Sequence, residues 1–104
     1  MDIMDRIKQT VENNHVVVFM KGTPQFPQCG FSARTVEALK ACGADFQHVD
    51  VLADPEIRQN LPRYSDWPTF PQVFIGGELV GGCDIVLGMY QSGDLQKLAQ
   101  GAAA

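Results

Sequence analysis

The sequence predicts an α/β fold in which a small mixed sheet carries helices on both faces. Residues 16–20, Val-Val-Val-Phe-Met, form a continuous apolar run, which is typical of a strand covered on both sides. A helical pattern and a second strand follow this run, and a strand–helix–strand unit requires a parallel pair of strands. Gly76-Gly77 separates two further short apolar runs, and this pattern indicates a hairpin whose strands are antiparallel.

Each element is predicted from local spacing and from start and stop signals. Apolar residues three or four apart mark the helices, as Ile3, Ile7 and Val11 do in the first one. An acid followed by Pro55 is a helix start, and Pro62 is expected to limit the length of that helix. In chain order, the predicted elements are a helix from residue 3, a strand over 16–20, a helix over about 31–42, a strand over 46–51, a helix from residue 55, strands over 72–75 and 78–80, and helices around 85–90 and 95–98.

The composition is that of one acidic globular domain over residues 1–104, with a tail over 102–104 that is expected to be disordered. Twelve acids against eight bases give a formal net charge of −4, which argues against binding to nucleic acid or to an anionic membrane. No stretch reaches the roughly 18 apolar residues that span a bilayer. The first residues carry acids where a secretory signal carries bases and an apolar run, so we expect a cytoplasmic protein.

Three cysteines, Cys29, Cys42 and Cys83, are too few and too far apart to predict a disulfide framework or a zinc site. Cys29 follows the first strand and precedes a helix, so free backbone N–H groups and the helix dipole favour its thiolate. Lys21 adds a positive charge across the loop. Ser32 occupies the position where a dithiol oxidoreductase holds its resolving cysteine. Cys29 is therefore predicted to be a lone reactive thiol rather than an inert one, which either exchanges with an external thiol or ligates a metal.

Three motifs follow one another along the chain. They are Lys21-Gly22-Thr23-Pro24 leading to Cys29-Gly30-Phe31-Ser32, then Trp67-Pro68-Thr69-Phe70-Pro71, then Gly81-Gly82-Cys83-Asp84. In order and spacing they resemble the signature of the single-domain monothiol glutaredoxins, and the resemblance covers roughly residues 3 to 100. It implies a thioredoxin-like fold, with a four-stranded mixed sheet, in which Pro71 is a cis-proline that faces the active cysteine.

The resemblance also implies a glutathione site around Cys29, the expected catalytic and metal-ligating residue. The residues implied are Lys21, Arg58, Thr69, Phe70, Pro71, Gly82, Cys83 and Asp84. Lys21 and Arg58 are expected to pair with the glycyl carboxylate, and the backbone of Phe70 to bond the cysteinyl portion. The N–H groups of Cys83 and Asp84 are expected to receive the γ-glutamyl carboxylate at a helix start, and the Asp84 carboxylate to bind the amino group. Two interpretations of Cys83 stay open: a small residue at a tight helix start whose backbone matters more than its sulfur, or a site of a regulatory disulfide or of glutathionylation.

For function, the resemblance implies a carrier of a [2Fe–2S] cluster that serves cluster assembly and iron homeostasis. Such a cluster takes four thiolates, which Cys29 from each of two chains and two glutathiones supply, so a cluster-bridged homodimer is expected. The expected partners are apo iron–sulfur proteins and BolA-like proteins, docking on the surface around Cys29 and Phe31. Two alternatives remain open: a glutathione-dependent oxidoreductase acting on mixed disulfides, and a thiol sensor without a metal.

Overall fold

The central strand of the fold is β1 (Val16–Met20), whose five residues are all buried. In this computed structural model, which describes residues 2–101, β1 lies between β2 (Gln47–Asp50) and β3 (Gln72–Ile75), and β4 (Glu78–Gly81) is next to β3. The β1–β2 pair is parallel, whereas the β1–β3 and β3–β4 pairs are antiparallel. The four-stranded mixed sheet predicted from the sequence is therefore confirmed.

Helices cover both faces of this sheet. They are α1 (Ile3–Asn13), α2 (Gly30–Ala41), α3 (Pro55–Ser65), α4 (Cys83–Ser92) and α5 (Asp94–Gly101). Val16, Val18 and Met20 of β1 pack with buried residues of α2, α4 and α5 on one face. Val17 and Phe19 point the other way and pack with buried residues of α1 and α3, as the two-residue period of a strand requires. The predicted order of elements is confirmed, and the predicted tail over 102–104 lies outside the described residues.

The helices are short, from 8 residues in α5 to 12 in α2. Within residues 2–101, none of them has both the length and the apolar character needed to cross a membrane. Their apolar residues form stripes instead, such as the buried Ile7 and Val11 of α1, and each stripe packs on the sheet.

Helix α3 is longer than the sequence predicts. Pro62 is expected to limit it, but the helix continues to Ser65, so that expectation is wrong. Proline removes the N–H that would donate to the Arg58 carbonyl, yet buried Ile57 and Leu61 hold the helix on the core. The helix ends at Asp66, which has the left-handed φ of 54° and donates its N–H to the Pro62 carbonyl.

The loop that follows β1 is anchored where the carboxyl ends of β1 and β2 lie side by side. The N–H of Gly22 donates to Oδ1 of Asp50 at 3.0 Å. Farther along, the N–H of Gln28 donates to the Lys21 carbonyl at 2.9 Å and closes the loop. The chain therefore reaches Cys29 through a loop of defined shape rather than through an open one.

Candidate functional site

A groove of about 860 Å³ opens beside the first turn of α2, where several segments distant in sequence meet. All nine residues predicted for the site line it: Lys21, Cys29, Arg58, Thr69, Phe70, Pro71, Gly82, Cys83 and Asp84. The lining also includes Phe31, Pro62, Trp67, Pro68 and Ile85, of which the sequence assigned none to the glutathione site. The structure therefore brings the three sequence motifs together around one cavity, and the binding of glutathione there stays a prediction.

Cys29 is the N-cap residue of α2 and is partly exposed at the groove. The N–H of Ser32, in the first turn of the helix, is the strongest cause that lowers the pKa of the Cys29 thiol. Partial burial opposes this by raising the pKa. The Phe31 N–H, the charge of Lys21 and the Ser32 hydroxyl each lower it further. The pKa of Cys29 is thus below the ordinary value of a thiol, and the reactive thiolate is favoured.

Ser32 also has a structural role that the sequence does not reveal. Its side chain is fully buried, and its Oγ accepts the N–H of Lys21 at 3.1 Å. This bond ties the first turn of α2 to the residue that leaves β1, so it fixes both groups beside Cys29. No spacing pattern links positions 21 and 32, because the bond depends on how the intervening loop folds back.

Lys21 and Arg58 are the two basic side chains of the groove, and neither has an ion-pair partner within residues 2–101. The ion pairs in that part of the chain join Arg6 to Asp54 at 2.9 Å and to Glu56 at 3.0 Å. Lys21 is half-buried and Arg58 is exposed. Two positive charges are therefore available at the groove for an anionic ligand.

The start of α4 forms another part of the groove. Gly82 is the N-cap of α4 and has no side chain that could cap the helix. The backbone N–H groups of the first turn, starting with those of Cys83 and Asp84, are therefore left for other acceptors. A Cβ at Gly82 would lie 3.3 Å from the carbonyl oxygen of Pro71, so the helix start packs closely on the preceding loop. The Phe70–Pro71 bond is cis, as the resemblance implies. A carboxylate in this corner meets free N–H donors and the positive end of the helix dipole.

The three thiols differ in access to solvent. Cys42 is 7% exposed, belongs to the core as predicted, and its Sγ–H donates to the Leu39 carbonyl at 3.3 Å. Cys83 lines the groove at the first position of α4 but is also only 7% exposed. Cys29 is the most exposed of the three, so it is the thiol that meets an incoming sulfur or metal.

A thioredoxin-like protein with one reactive thiol is the class that this fold and groove define. Comparison with known proteins narrows it further: the glutaredoxin family model matches residues 16–80. Over 104 residues the chain is 54% identical to Glutaredoxin 4 of Pasteurella multocida, covering 100% of this chain and 95% of that protein. The chain belongs to the glutaredoxin family, and with Ser32 in place of a second cysteine it is a monothiol member.

Solved structures agree with this assignment and confirm the predicted thioredoxin-like fold. Reduced apo GrxS14 of poplar, determined in solution, superposes with a TM-score of 0.81 at 47% identity, covering 95% of this chain and 91% of that one. A buckwheat glutaredoxin in complex with glutathione superposes with a TM-score of 0.84 at 29% identity, covering 97% of this chain and 90% of that one. The likeness therefore extends over nearly the whole chain in both cases.

Proposed function

We propose that this chain carries a [2Fe–2S] cluster, held between two subunits by Cys29 of each and by two glutathione molecules, and transfers it to apo iron–sulfur proteins. The observation that carries the proposal is one accessible thiol of lowered pKa at a groove whose basic side chains have no ion-pair partner among the described residues. In this role the cluster is cargo, and the biological purpose is cluster trafficking and iron homeostasis.

The number of available thiolates supports a shared cluster. A [2Fe–2S] cluster takes four thiolates. Within residues 2–101, no group of three or more His, Cys, Asp or Glu side chains is arranged to hold a metal ion. Cys42 and Cys83 are each 7% exposed, so one subunit offers the thiolate of Cys29 and two subunits offer two. Glutathione thiolates complete the set, and because small external ligands exchange, the cluster is easily surrendered to an acceptor.

The groove has the charges and donors that glutathione requires. The glycyl carboxylate of glutathione pairs with Lys21 and Arg58. The backbone of Phe70 forms hydrogen bonds with the cysteinyl residue of glutathione, as an added strand would. The N–H groups of Cys83 and Asp84 receive the γ-glutamyl carboxylate, while the Asp84 carboxylate pairs with the amino group. A volume of about 860 Å³ is within the range of small-ligand sites, and the related buckwheat glutaredoxin was solved as a complex with glutathione.

Protein partners are proposed to dock on the apolar surface near Cys29. Phe26 is 75% exposed in the loop before the cysteine, and Phe31 is 54% exposed in the helix after it. Large apolar side chains exposed beside a reactive thiol are typical of an interaction site. In the proposed homodimer the second subunit covers this surface. A BolA-like protein or an apo acceptor protein takes the place of that subunit, and the proposed compartment is the cytoplasm.

Anaerobic reconstitution with ferrous iron, sulfide and glutathione tests the proposal. We expect a dimer that absorbs visible light and contains about two iron atoms and about two glutathione molecules. Cys29→Ser is expected to abolish the cluster, because it removes the most exposed thiolate. Cys42→Ser and Cys83→Ser are the matched controls, and both are expected to retain most of the cluster because their thiols are buried.

Two results would contradict this proposal in different ways. A parent chain that stays monomeric and colourless after reconstitution would show that it is not a cluster carrier. Loss of the cluster in Cys83→Ser would show instead that the Cys83 sulfur takes part, and that Cys29 is not the sole protein ligand of each subunit.

A second candidate function is the glutathione-dependent reduction of mixed disulfides. The lowered pKa of Cys29 favours this function. The Cys29 thiolate attacks the glutathione sulfur of the mixed disulfide, which releases the protein thiolate and leaves glutathione joined to Cys29. A second glutathione thiolate then attacks that glutathione sulfur, which frees Cys29 and forms oxidised glutathione. Steady-state turnover of a glutathionylated peptide as fast as that of a dithiol glutaredoxin would make this the main function.

A further inference from the structure

Gln72 is a fully buried amide directly behind the groove. It is the first residue of β3 and follows Pro71, which lines the cavity. Its Nε2 donates to the Trp67 carbonyl at 2.9 Å and to the Thr69 carbonyl at 3.2 Å. Both hydrogens of the amide are therefore used, and both bonds end on the loop between α3 and β3.

This loop, residues 66–71, has few hydrogen bonds of its own. Pro68 and Pro71 have no N–H group, so they cannot donate to the rest of the loop. Within residues 2–101, the loop's backbone-to-backbone bonds outside the sheet both end on the Pro62 carbonyl, where α3 ends: one comes from the capping N–H of Asp66 and one from the Trp67 N–H at 3.2 Å. From Trp67 onward, Phe70 packs on the core beneath the sheet, and the hydrogen bonds that fix the loop against the sheet come from the side chain of Gln72.

The loop is one wall of the groove and also touches another wall. A Cβ at Gly82 would lie 3.3 Å from the Pro71 carbonyl oxygen and 3.4 Å from Nε1 of Trp67. A shift of the loop by a few tenths of an ångström would therefore change its spacing from the start of α4. It would also move the backbone of Phe70, whose N–H and carbonyl are the groups expected to bond the ligand.

The side chain of Gln72 uses its two hydrogen-bond donors but not its acceptor. Its Oε1 is buried and has no hydrogen-bond partner in the described part of the chain. A buried acceptor without a partner destabilises the fold, so an apolar side chain of the same size would fill this space better. The amide is thus of use for its two donors, and these act on the loop alone.

We infer that Gln72 is a positioning residue, which holds the loop over residues 66–71 in the shape that binds glutathione. The inference rests on the proposed function, because it takes the groove to be a glutathione site. It assigns no contact between Gln72 and the ligand, since the side chain is fully buried. The effect passes through the carbonyls of Trp67 and Thr69 to the backbone between them and Pro71.

Gln72→Met tests the inference, because methionine has nearly the same length and shape but no donor. We expect the dissociation constant of Gln72→Met for reduced glutathione, measured by titration calorimetry, to be about tenfold or more above that of the parent chain. Small displacements of the groups that bind a ligand cost this much affinity. The pH profile of Cys29 alkylation is expected to stay unchanged, because the groups that lower the pKa of Cys29 lie on other segments. A general loss of packing would not weaken glutathione binding while leaving the pH profile of Cys29 alkylation unchanged.

Ile75→Ala is the matched control, since Ile75 is buried at the other end of the same strand. It is expected to lower the melting temperature and to leave the glutathione affinity of the folded protein within about twofold. Equal affinity of the parent and Gln72→Met would overturn the positioning role and leave the proposed function standing. Absence of glutathione binding by the parent chain would overturn both.

A measurement on the unmodified chain covers the case in which Gln72→Met does not fold. The side-chain amide protons of Gln72 are expected to exchange with deuterated water far more slowly than those of Gln91, which is exposed. Slow exchange supports the hydrogen bonds to the Trp67 and Thr69 carbonyls. Exchange as fast as that of Gln91 would overturn the inference without any variant.

Discussion

Gly22→Ala is expected to damage the loop that carries the active thiol, and its effect can be worked out from the backbone. Gly22 is buried and has a φ of +93°, a conformation that residues with a Cβ rarely adopt. A Cβ at this position would lie 2.5 Å from the carbonyl oxygen of Phe26 and 2.6 Å from the backbone nitrogen of Gln28. Both are backbone atoms, so the contact is relieved only if the loop itself moves.

The expected loss of unfolding free energy has two parts. The positive φ costs roughly 1 kcal/mol for a residue with a Cβ. Moving the loop breaks two backbone hydrogen bonds, from Thr23 to the Phe26 carbonyl at 3.3 Å and from Gln28 to the Lys21 carbonyl at 2.9 Å. Each such bond contributes about 1 kcal/mol, so the total expected for Gly22→Ala is about 3 kcal/mol.

Gly43→Ala is the matched control for this prediction. Gly43 also has a positive φ, of +77°, but nothing lies within 4 Å of the Cβ that it would gain. Its expected loss is therefore the φ contribution alone, about 1 kcal/mol. Urea denaturation measures both losses, and in thermal denaturation a difference of about 2 kcal/mol corresponds to a gap of roughly 10 °C between the two variants.

A loss for Gly22→Ala no larger than that for Gly43→Ala would refute the steric argument. It would mean that the loop tolerates the displacement without losing its hydrogen bonds. The rate of Cys29 alkylation gives an independent reading, because the loop also sets the position of Lys21 near the thiol. We expect that rate to change in Gly22→Ala and to stay unchanged in Gly43→Ala.

Two predictions concern the charges of the groove. Since the charge of Lys21 lowers the pKa of Cys29, we expect Lys21→Gln to raise that pKa and to move the midpoint of the pH profile of Cys29 alkylation to higher pH. Lys40→Gln, at the other end of α2, is expected to leave this pH profile unchanged. A lower or unaltered midpoint for Lys21→Gln would contradict the assigned cause. Arg58→Gln weakens glutathione binding about tenfold in titration calorimetry, as loss of one charge-assisted bond predicts. Arg63→Gln, exposed on the same helix outside the groove, is expected to bind like the parent, and equal affinities for both variants would remove Arg58 from the site.

The order of elements was predictable because the local patterns agree with one another. The apolar run at 16–20 has to be covered on both faces, and the two glycines at 76–77 allow the reversal between β3 and β4. Pro62 shows where such rules stop. Its local preference is to end a helix, but burial of Ile57 and Leu61 holds α3 on the core past it, and the helix ends only at the left-handed cap of Asp66.

The site was predictable where a residue belongs to a motif and not where it acts through a neighbour. Each of the three motifs contributes residues to the groove, and all nine residues that the resemblance implies for the site line it. Gln72 directly follows one motif, but its two bonds depend on a loop that turns back over the end of β3. The bond from the Lys21 N–H to Ser32 likewise joins the end of a strand to the first turn of a helix. Such contacts come from the packing of segments, which one sequence does not specify.

Ser32 explains physically why the active thiol stands alone. A cysteine at this position would lie in the same helical turn as Cys29 and would offer it a partner for a disulfide, which would remove Cys29 from the reach of an external ligand. The hydroxyl supports the thiolate in two ways without capturing it: it helps to lower the pKa of Cys29, and its oxygen holds the backbone of Lys21 at 3.1 Å. A residue that stabilises a thiolate but has no sulfur with which to form a disulfide suits a cysteine whose proposed partners are iron and the sulfur of glutathione.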